Sequence, residues 1–398
     1  MKIKVSIFLS LIITTTVVLK VTQNRITLRA AYTEDHTEVE TRSEITRCIF
    51  PQVDQFDPSI MKLAGLDKGP IDCDDYGIPE ITYIDGLYIR VNASKLKAKS
   101  AKVRCWYRNI TRTPYNDLTV TFSKWSPVFT QSIRITEEHE FLYVRCLDSE
   151  SKRNIVSKAY YSLVPKRSHW TSFYNAAAAK RLMEFEPKET LSVIGVCLDG
   201  LPRHQMLRAM PETLGYLKDL GSFDFTMQGQ VADNTLRNYL SLFTAHNFND
   251  VRRWWSLDKL EDMFGWIWHD FEQAGYRTLY TEDDSKRSGF FYGGGRFLFP
   301  PTSYWNRALQ LAMDKDPGFT RRYGLCNGKR STSDSVLNYL MTFLDRFSSH
   351  PVSGWAMLSA PTHDDIANAK SLDLDILKFF KTLEEKGHLN KSLVIFFL

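Results

Sequence analysis

The sequence has no excess of charge large enough to define a partner. Its 51 Lys and Arg side chains face 46 Asp and Glu, a formal net charge of +5. The basic residues are spread evenly, which argues against a nucleic-acid partner. Cysteine is scarce: six in 398 residues are too few for a disulfide scaffold but enough for two or three bridges. HExxH, GxSxG and CxxC are all absent, which removes the signatures of zincin, α/β-hydrolase and dithiol chemistry. The triple glycine Gly293 to Gly295 lacks the Lys-Ser/Thr of a phosphate loop. There is no internal repeat and no low-complexity tract beyond four alanines. What is present is an ordinary globular composition, 43% hydrophobic and 24% charged, with 13% aromatics and nine Trp. It excludes wholesale disorder and a multispan membrane protein. At about 100–200 residues per domain, the length suits two or three domains.

Residues Val5 to Leu19 carry no charge, with Lys2 and Lys4 before them and Lys20 after. The run fits a signal-peptide core of about 7–15 residues better than a spanning helix of roughly 20. No small-x-small cleavage site follows at once, so 1–25 reads as a signal peptide or an uncleaved signal-anchor. An uncleaved anchor would tie the chain to a membrane as a type II protein. Three sequons, at Asn92, Asn109 and Asn390, are glycosylation candidates and agree with export. Cysteine usage agrees too. Cys48 and Cys73 flank a Pro/Asp-rich loop, and Cys105 and Cys146 lie in strand-like segments of one region. The expected pairs are Cys48–Cys73 and Cys105–Cys146, among the three connectivities that four cysteines allow. Cys197 reads as a buried thiol, and Cys326 has no assigned partner. The expected localisation is extracellular, or membrane-anchored with an extracellular domain.

Residues 26–45 are a polar, acidic linker. From 46 to 165 the pattern is β, with a hairpin signal at Asp85-Gly86, and predicts a small antiparallel sandwich. Residues 166–189 form a connecting segment with a helix at the alanine run. From 190 to 398 the pattern becomes α/β. Leu191–Leu198 is a continuously apolar strand of the buried parallel kind. Helices are expected near Gln205–Leu220, Asn234–Thr244, Leu257–Ala274, Ser331–Phe347 and Leu372–Lys386. Further strands are expected at Tyr276–Tyr280, Gly354–Leu358 and Ser392–Leu398. Alternating strands and helices indicate a mainly parallel sheet.

Ligands of open α/β sheets bind beyond the carboxyl ends of the strands. Asp199 immediately follows the first α/β strand and can hold a divalent metal there, or simply cap a turn with Gly200. Val231–Asn238 opens a helix: Asp233 or Asn234 can cap it, and Thr235 falls in its first turn. A hydroxyl there faces free N–H groups and the positive dipole end, a place for a phosphoryl or sulfuryl group. A metal beside it would make it a nucleophile. Capping alone also explains this segment. His363 follows the strand around Trp355 and can ligate metal or hold a phosphate oxygen, or be an ordinary surface histidine. Glu282-Asp283-Asp284 ends another strand and reads as a solvated acidic loop.

Taken in order, these segments resemble a known family. Asp199-Gly-Leu-Pro-Arg203, Arg208-Ala-Met-Pro-Glu-Thr213 and Val231-Ala-Asp-Asn-Thr235-Leu-Arg-Asn238 come first. Gly275-Tyr-Arg-Thr-Leu-Tyr-Thr-Glu-Asp283, Phe299-Pro-Pro-Thr-Ser-Tyr304, Cys326-Asn-Gly328 and His363-Asp364 follow. Order and spacing are similar to the DUF229 family of secreted or type II membrane proteins, within the alkaline phosphatase/sulfatase-like superfamily. The Cys48…Cys73 loop is similar to the start of the family's extracellular region. The resemblance implies an alkaline phosphatase-like, mainly parallel sheet with flanking helices behind the β domain. It also implies a divalent metal (Zn, Mn or Ca) and a phosphate or sulfate ester substrate. By matching position, Asp199 would be a metal ligand and Thr235 both nucleophile and ligand. Asn234 and His363 would contact the substrate. A Thr nucleophile favours phosphoryl over sulfuryl chemistry, since sulfatases use a Cys- or Ser-derived formylglycine. Pro202, Ala232 and Ser303 stand where the pattern commonly has Ser, Gly and Asp. In the superfamily a strand like Ser392–Leu398 leads into a Ser-Asp-His-Gly segment that supplies further metal ligands. The sequence stops at Leu398, so the expectation is a truncated chain with half the metal cage. Two readings follow: a metal-dependent phosphoester hydrolase or phosphotransferase, and a non-catalytic member acting as an extracellular binding protein.

Overall fold

A computed structural model describes residues 16–20, 53–74, 79–95, 102–150, 154–184, 190–252, 265–287, 289–291, 296–321 and 324–398. The 26–45 linker, Cys48, the triple glycine and residues 257–264 of the expected helix Leu257–Ala274 lie outside them. In chain order the strands are β1 (Thr16–Lys20), β2 (Thr82–Asp85), β3 (Tyr88–Val91), β4 (Val103–Thr113), β5 (Asn116–Phe122) and β6 (Ser132–Arg134). Then come β7 (Phe141–Asp148), β8 (Ile155–Ser162), β9 (Ser192–Leu198), β10 (Phe223–Asp224), β11 (Arg277–Glu282) and β12 (Tyr304–Trp305). The last five are β13 (Thr320–Arg321), β14 (Cys326–Asn327), β15 (Arg330–Ser331), β16 (Val352–Leu358) and β17 (Ser392–Phe397).

The β-rich part consists of two antiparallel sheets, in the orders β2-β3-β6 and β5-β4-β7-β8. The Asp85-Gly86 signal is realised as the β2–β3 hairpin, with Gly86 at φ 55°, a conformation only glycine adopts without strain. Alternate residues face a shared core: Ile81 and Ile89 from one sheet pack with Cys105, Leu142, Val144, Cys146 and Ala159 of the other. Cys105 and Cys146 are register partners on β4 and β7 and form a disulfide.

The second part is a seven-stranded sheet in the order β10-β1-β17-β9-β16-β11-β12. Its run β17-β9-β16-β11-β12 is parallel, while β1 and β10 add antiparallel at one edge. β9, β11 and β16 are buried along their whole length, as parallel strands are when helices cover both faces. At the centre, Gly195 on β9 pairs with Trp355 on β16, and a Cβ at 195 would fall 2.0 Å from Trp355 Cε3. The indole occupies the volume that any larger residue would need.

One helix expected over Gln205–Leu220 is two, Arg203–Ala209 and Pro211–Asp219. Pro211 has no N–H to continue the first and instead starts the second. The helix at the alanine run is present as Ser168–Glu184. The expected aromatic helix starts only at Ile267 and runs to Gln273, entered through an extended Trp266. Thr332–Arg346 and Ala369–Glu385 match expectation closely. The helix Arg307–Lys315 and the small sheet β13-β14-β15 were not foreseen. Among the described residues no helix is long and apolar enough to cross a membrane. The end of the uncharged amino-terminal run, Thr16 to Leu19, pairs together with Lys20 as a strand along β17.

The two parts share one apolar cluster: Ile110, Phe141 and Tyr160 pack with Leu309, Phe319 and Tyr339. Ion pairs reinforce the seam. Lys158 meets Asp316 at 2.6 Å, and Arg167 meets Glu140 at 2.6 Å, with the Tyr339 hydroxyl donating to the same carboxylate at 3.0 Å.

The expected Cys48–Cys73 pair is not formed. Cys73 is bonded to Cys326, 253 residues away. Residues 53–74 do not close a local loop but lie against the α/β part. There Lys68 pairs with Asp365 at 2.6 Å, and Gln205 Nε2 donates to Ala64 O at 2.8 Å. Local spacing could not reveal a partner that tertiary packing supplies. Cys197 is a buried free thiol, as its apolar strand implied.

Candidate active site

Asp199 is the first residue beyond β9. Its N–H donates to Leu358 O at 2.9 Å and its carbonyl accepts from Thr362 Oγ1 at 2.6 Å. Gly200 follows at φ +73°, which turns the chain away and leaves the carboxylate at the sheet's carboxyl edge. The side chain is only 5% exposed. Burial raises its pKa, opposed by the Thr235 and Ser359 hydroxyls and by the positive potential of His363. One oxygen, Oδ1, accepts the Thr235 hydroxyl at 2.7 Å; the other, Oδ2, is buried with no hydrogen-bond partner.

Thr235 is the first residue of the helix Thr235–Thr244. Asn234 caps it, accepting the Arg237 N–H at 3.3 Å. Asn234 itself is held at φ 66°, ψ 154°, a region that non-glycine residues enter only under strain. The loop before it is fixed by Asn238, whose Oδ1 accepts from Val231 N at 2.9 Å. Its Nδ2 donates to Ala232 O at 2.7 Å and Asn234 O at 2.8 Å. The sequence reading missed this role, although an Asn one helical turn beyond an N-cap Asn is a recognisable signal. The helix is seated by Tyr239, Leu240 and Phe243, all on one face. The Phe243 ring lies 4.5 Å from Trp268 and 5.1 Å from Trp355 between ring centroids. Truncating such a buried aromatic costs about 3–5 kcal/mol, so the position of Thr235 is anchored by the core beneath it.

Asp199, Asn234 and Thr235 line one cavity of about 410 Å³, together with Arg203, Gln230 and Asn238. The three therefore share one cavity. His363 does not line this cavity. It sits across the Gly200 turn, where a Cβ on Gly200 would lie 3.8 Å from His363 Cα, and its Nδ1 shares a proton with Asp364 Oδ1 at 2.8 Å. The sequons differ in access. Asn390 is exposed, while Asn92 and Asn109 are half-buried.

Glu282 and Asp283 are not a solvated loop. Both are buried, at 0% and 4% exposure. Asp283 Oδ1 accepts the N–H groups of Ser359 (2.8 Å) and Ala360 (3.1 Å) at the start of the segment leading to His363. Its Oδ2 is buried without a partner. Burial pushes the Asp283 carboxyl up to about 8, against those two N–H groups and with help from Asp284 and Glu282. Two carboxylates from flanking strands thus bracket Ser359 at the end of β16.

A family model described as "Protein of unknown function (DUF229)" matches residues 80–397. The chain belongs to the DUF229 family. No curated protein and no solved structure matches it. The family's description names no activity.

Asp199 Oδ2 and Thr235 Oγ1 offer oxygen ligands of the type that suits Mn²⁺ or Ca²⁺ rather than Zn²⁺. Among the described residues no group of three or more His, Cys, Asp or Glu side chains converges on a metal position. These residues would hold a hard cation only with substrate oxygens and water completing its shell.

Proposed function

We propose that this DUF229 chain is an extracellular or membrane-anchored phosphoester hydrolase or phosphotransferase in which Thr235 is the nucleophile. The observation that carries the reading is the Thr235 Oγ1–Asp199 Oδ1 hydrogen bond inside a cavity at the carboxyl edge of the sheet. It accords with the alkaline phosphatase-like resemblance. A phosphoryl group entering the cavity meets the amino end of the helix Thr235–Thr244, whose dipole and N–H groups favour an anion. Thr235 Oγ1 attacks phosphorus as its proton passes to Asp199 Oδ1, the P–O bond to the leaving group breaks, and the departing alkoxide takes a proton from water; Asp199 returns its proton to Thr235 Oγ1 when the phosphoryl group moves on. Water or an acceptor alcohol then takes the phosphoryl group from Thr235. A divalent cation at Asp199 and Thr235 would lower the hydroxyl's pKa. Disulfides of this kind belong to an oxidising compartment.

The test is turnover of a model aryl phosphate by the chain in Mn²⁺ or Ca²⁺, with an acid quench and mapping of the Thr235 peptide. Support is turnover in the parent and in Thr235→Ser, loss of about 10²-fold or more in Thr235→Ala, and a phosphoryl adduct on the parent's Thr235 peptide. Equal turnover by Thr235→Ala overturns it. The two-donor cation site favours a second reading, a non-catalytic protein that binds anionic esters. Saturable phosphate-ester binding with no turnover would select it.

A further inference from the structure

A second cavity, of about 370 Å³, lies in the seam between the β-rich and α/β parts. It is formed by β2 and β8 on one side and by the helices Arg307–Lys315 and Thr332–Arg346 and the β14–β15 hairpin on the other. It shares no lining residue with the cavity around Thr235. We propose that it binds a neutral sugar, one or two pyranose units in size.

The chemistry of the walls selects this class. Anions are disfavoured: the cationic wall residue Arg330 is already paired with Glu80 at 2.7 Å, and Asp334 adds a further carboxylate. A purely apolar ligand is disfavoured by the amides. Asn327 is 4% exposed and lines the cavity. Its Oδ1 accepts from Thr320 at 3.0 Å, while its Nδ2 is buried with no acceptor at all. An unpaired buried donor of this kind costs about 1–3 kcal/mol, a cost relieved when the Asn327 side chain turns its amide toward a ligand oxygen in the cavity. Asn338 brings a second, exposed amide to the wall. Aromatic surface is supplied by Phe319 and by Tyr83, which is 45% exposed at the cavity. A pyranose presents both halves of the complement: hydroxyl oxygens for amide donors and C–H faces for aromatic rings. The volume is at the small end of ligand cavities, which run from about 300 to 1,000 Å³, so a long glycan would be held by one end.

The experiment is saturation-transfer NMR and calorimetry on the full chain with glucose, galactose, mannose and N-acetylglucosamine and their β-linked disaccharides. Inorganic phosphate serves as the competing anion. The expected result is saturable binding of at least one sugar, undisturbed by phosphate. It should be weakened about five- to tenfold by Tyr83→Ala or Asn338→Ala, both exposed and tolerant positions, and abolished by Asn327→Asp, which keeps the shape and removes the donor. Retention of the melting temperature separates lost binding from lost folding. No saturable binding by any of these sugars overturns the proposal, as does binding that phosphate displaces or that survives all three substitutions. Because Thr235→Ala leaves this cavity untouched, sugar binding and phosphoester turnover fail independently.

Discussion

The Thr235 hydroxyl donates to Asp199 Oδ1 at 2.7 Å, joining the first turn of one helix to the end of the first parallel strand. Asp199 is buried, and its carboxyl is raised above the ordinary range chiefly by that burial. A raised acid binds its proton more tightly folded than unfolded. Its ionisation therefore subtracts stability as pH rises above the unfolded pKa. Asp199→Asn is expected to raise the melting temperature at pH 8 while abolishing aryl phosphate turnover. A variant that melts lower and turns over normally would contradict both the electrostatics and the site.

Asp283 makes the same argument at a second position with a defined window. Its carboxyl is pushed up to about 8, against an unfolded value near 3.9. Between those values the folded chain holds a proton that the unfolded chain has lost, so stability falls as pH climbs from about 4 to 8. In thermal melts across that range, the parent should lose more stability than Asp283→Asn, and the two curves should converge at the acid end. Parallel curves would refute the shift.

Asn238 makes three hydrogen bonds to the 231–234 loop. Asn238→Ala leaves loop groups without partners and is expected to cost about 1–3 kcal/mol in a denaturant titration. The strained Asn234 should relax as well, so turnover should fall further than stability. An activity loss no greater than the stability loss would mean that the loop's shape does not matter to Thr235.

Cys73 and Cys326 close a loop across most of the chain. Peptide mapping without reductant should recover these two residues in one linked pair. Cys326→Ser should cost roughly 5 kcal/mol in the chain-entropy treatment of so long a loop. Recovery of a Cys48–Cys73 peptide would reverse the connectivity.

Strand positions were legible because continuous apolar runs such as Ser192–Leu198 leave little ambiguity once helices alternate with them. The places of Asp199 and Thr235 were legible too, since one ends such a run and the other opens a capped helix. Three kinds of feature were not. The break at Pro211 was hidden by apolar periodicity that continues across it. The partner of Cys73 was hidden because it comes from tertiary contact. The burial of Glu282 and Asp283 was hidden because three adjacent acids look solvated in one dimension. In the fold, Arg307 lies 3.8 Å from Glu282, and backbone N–H groups meet Asp283.

Gly195 and Trp355 illustrate a different kind of dependence. Because the indole fills the space above the glycine, neither position can drift alone. Within DUF229 the two should change as a linked pair, a larger residue at the first appearing only beside a smaller one at the second. The helix carrying Thr235 rests on the same indole through Phe243, so divergence at this pair in the middle of the sheet would also reset where the Thr235 hydroxyl stands.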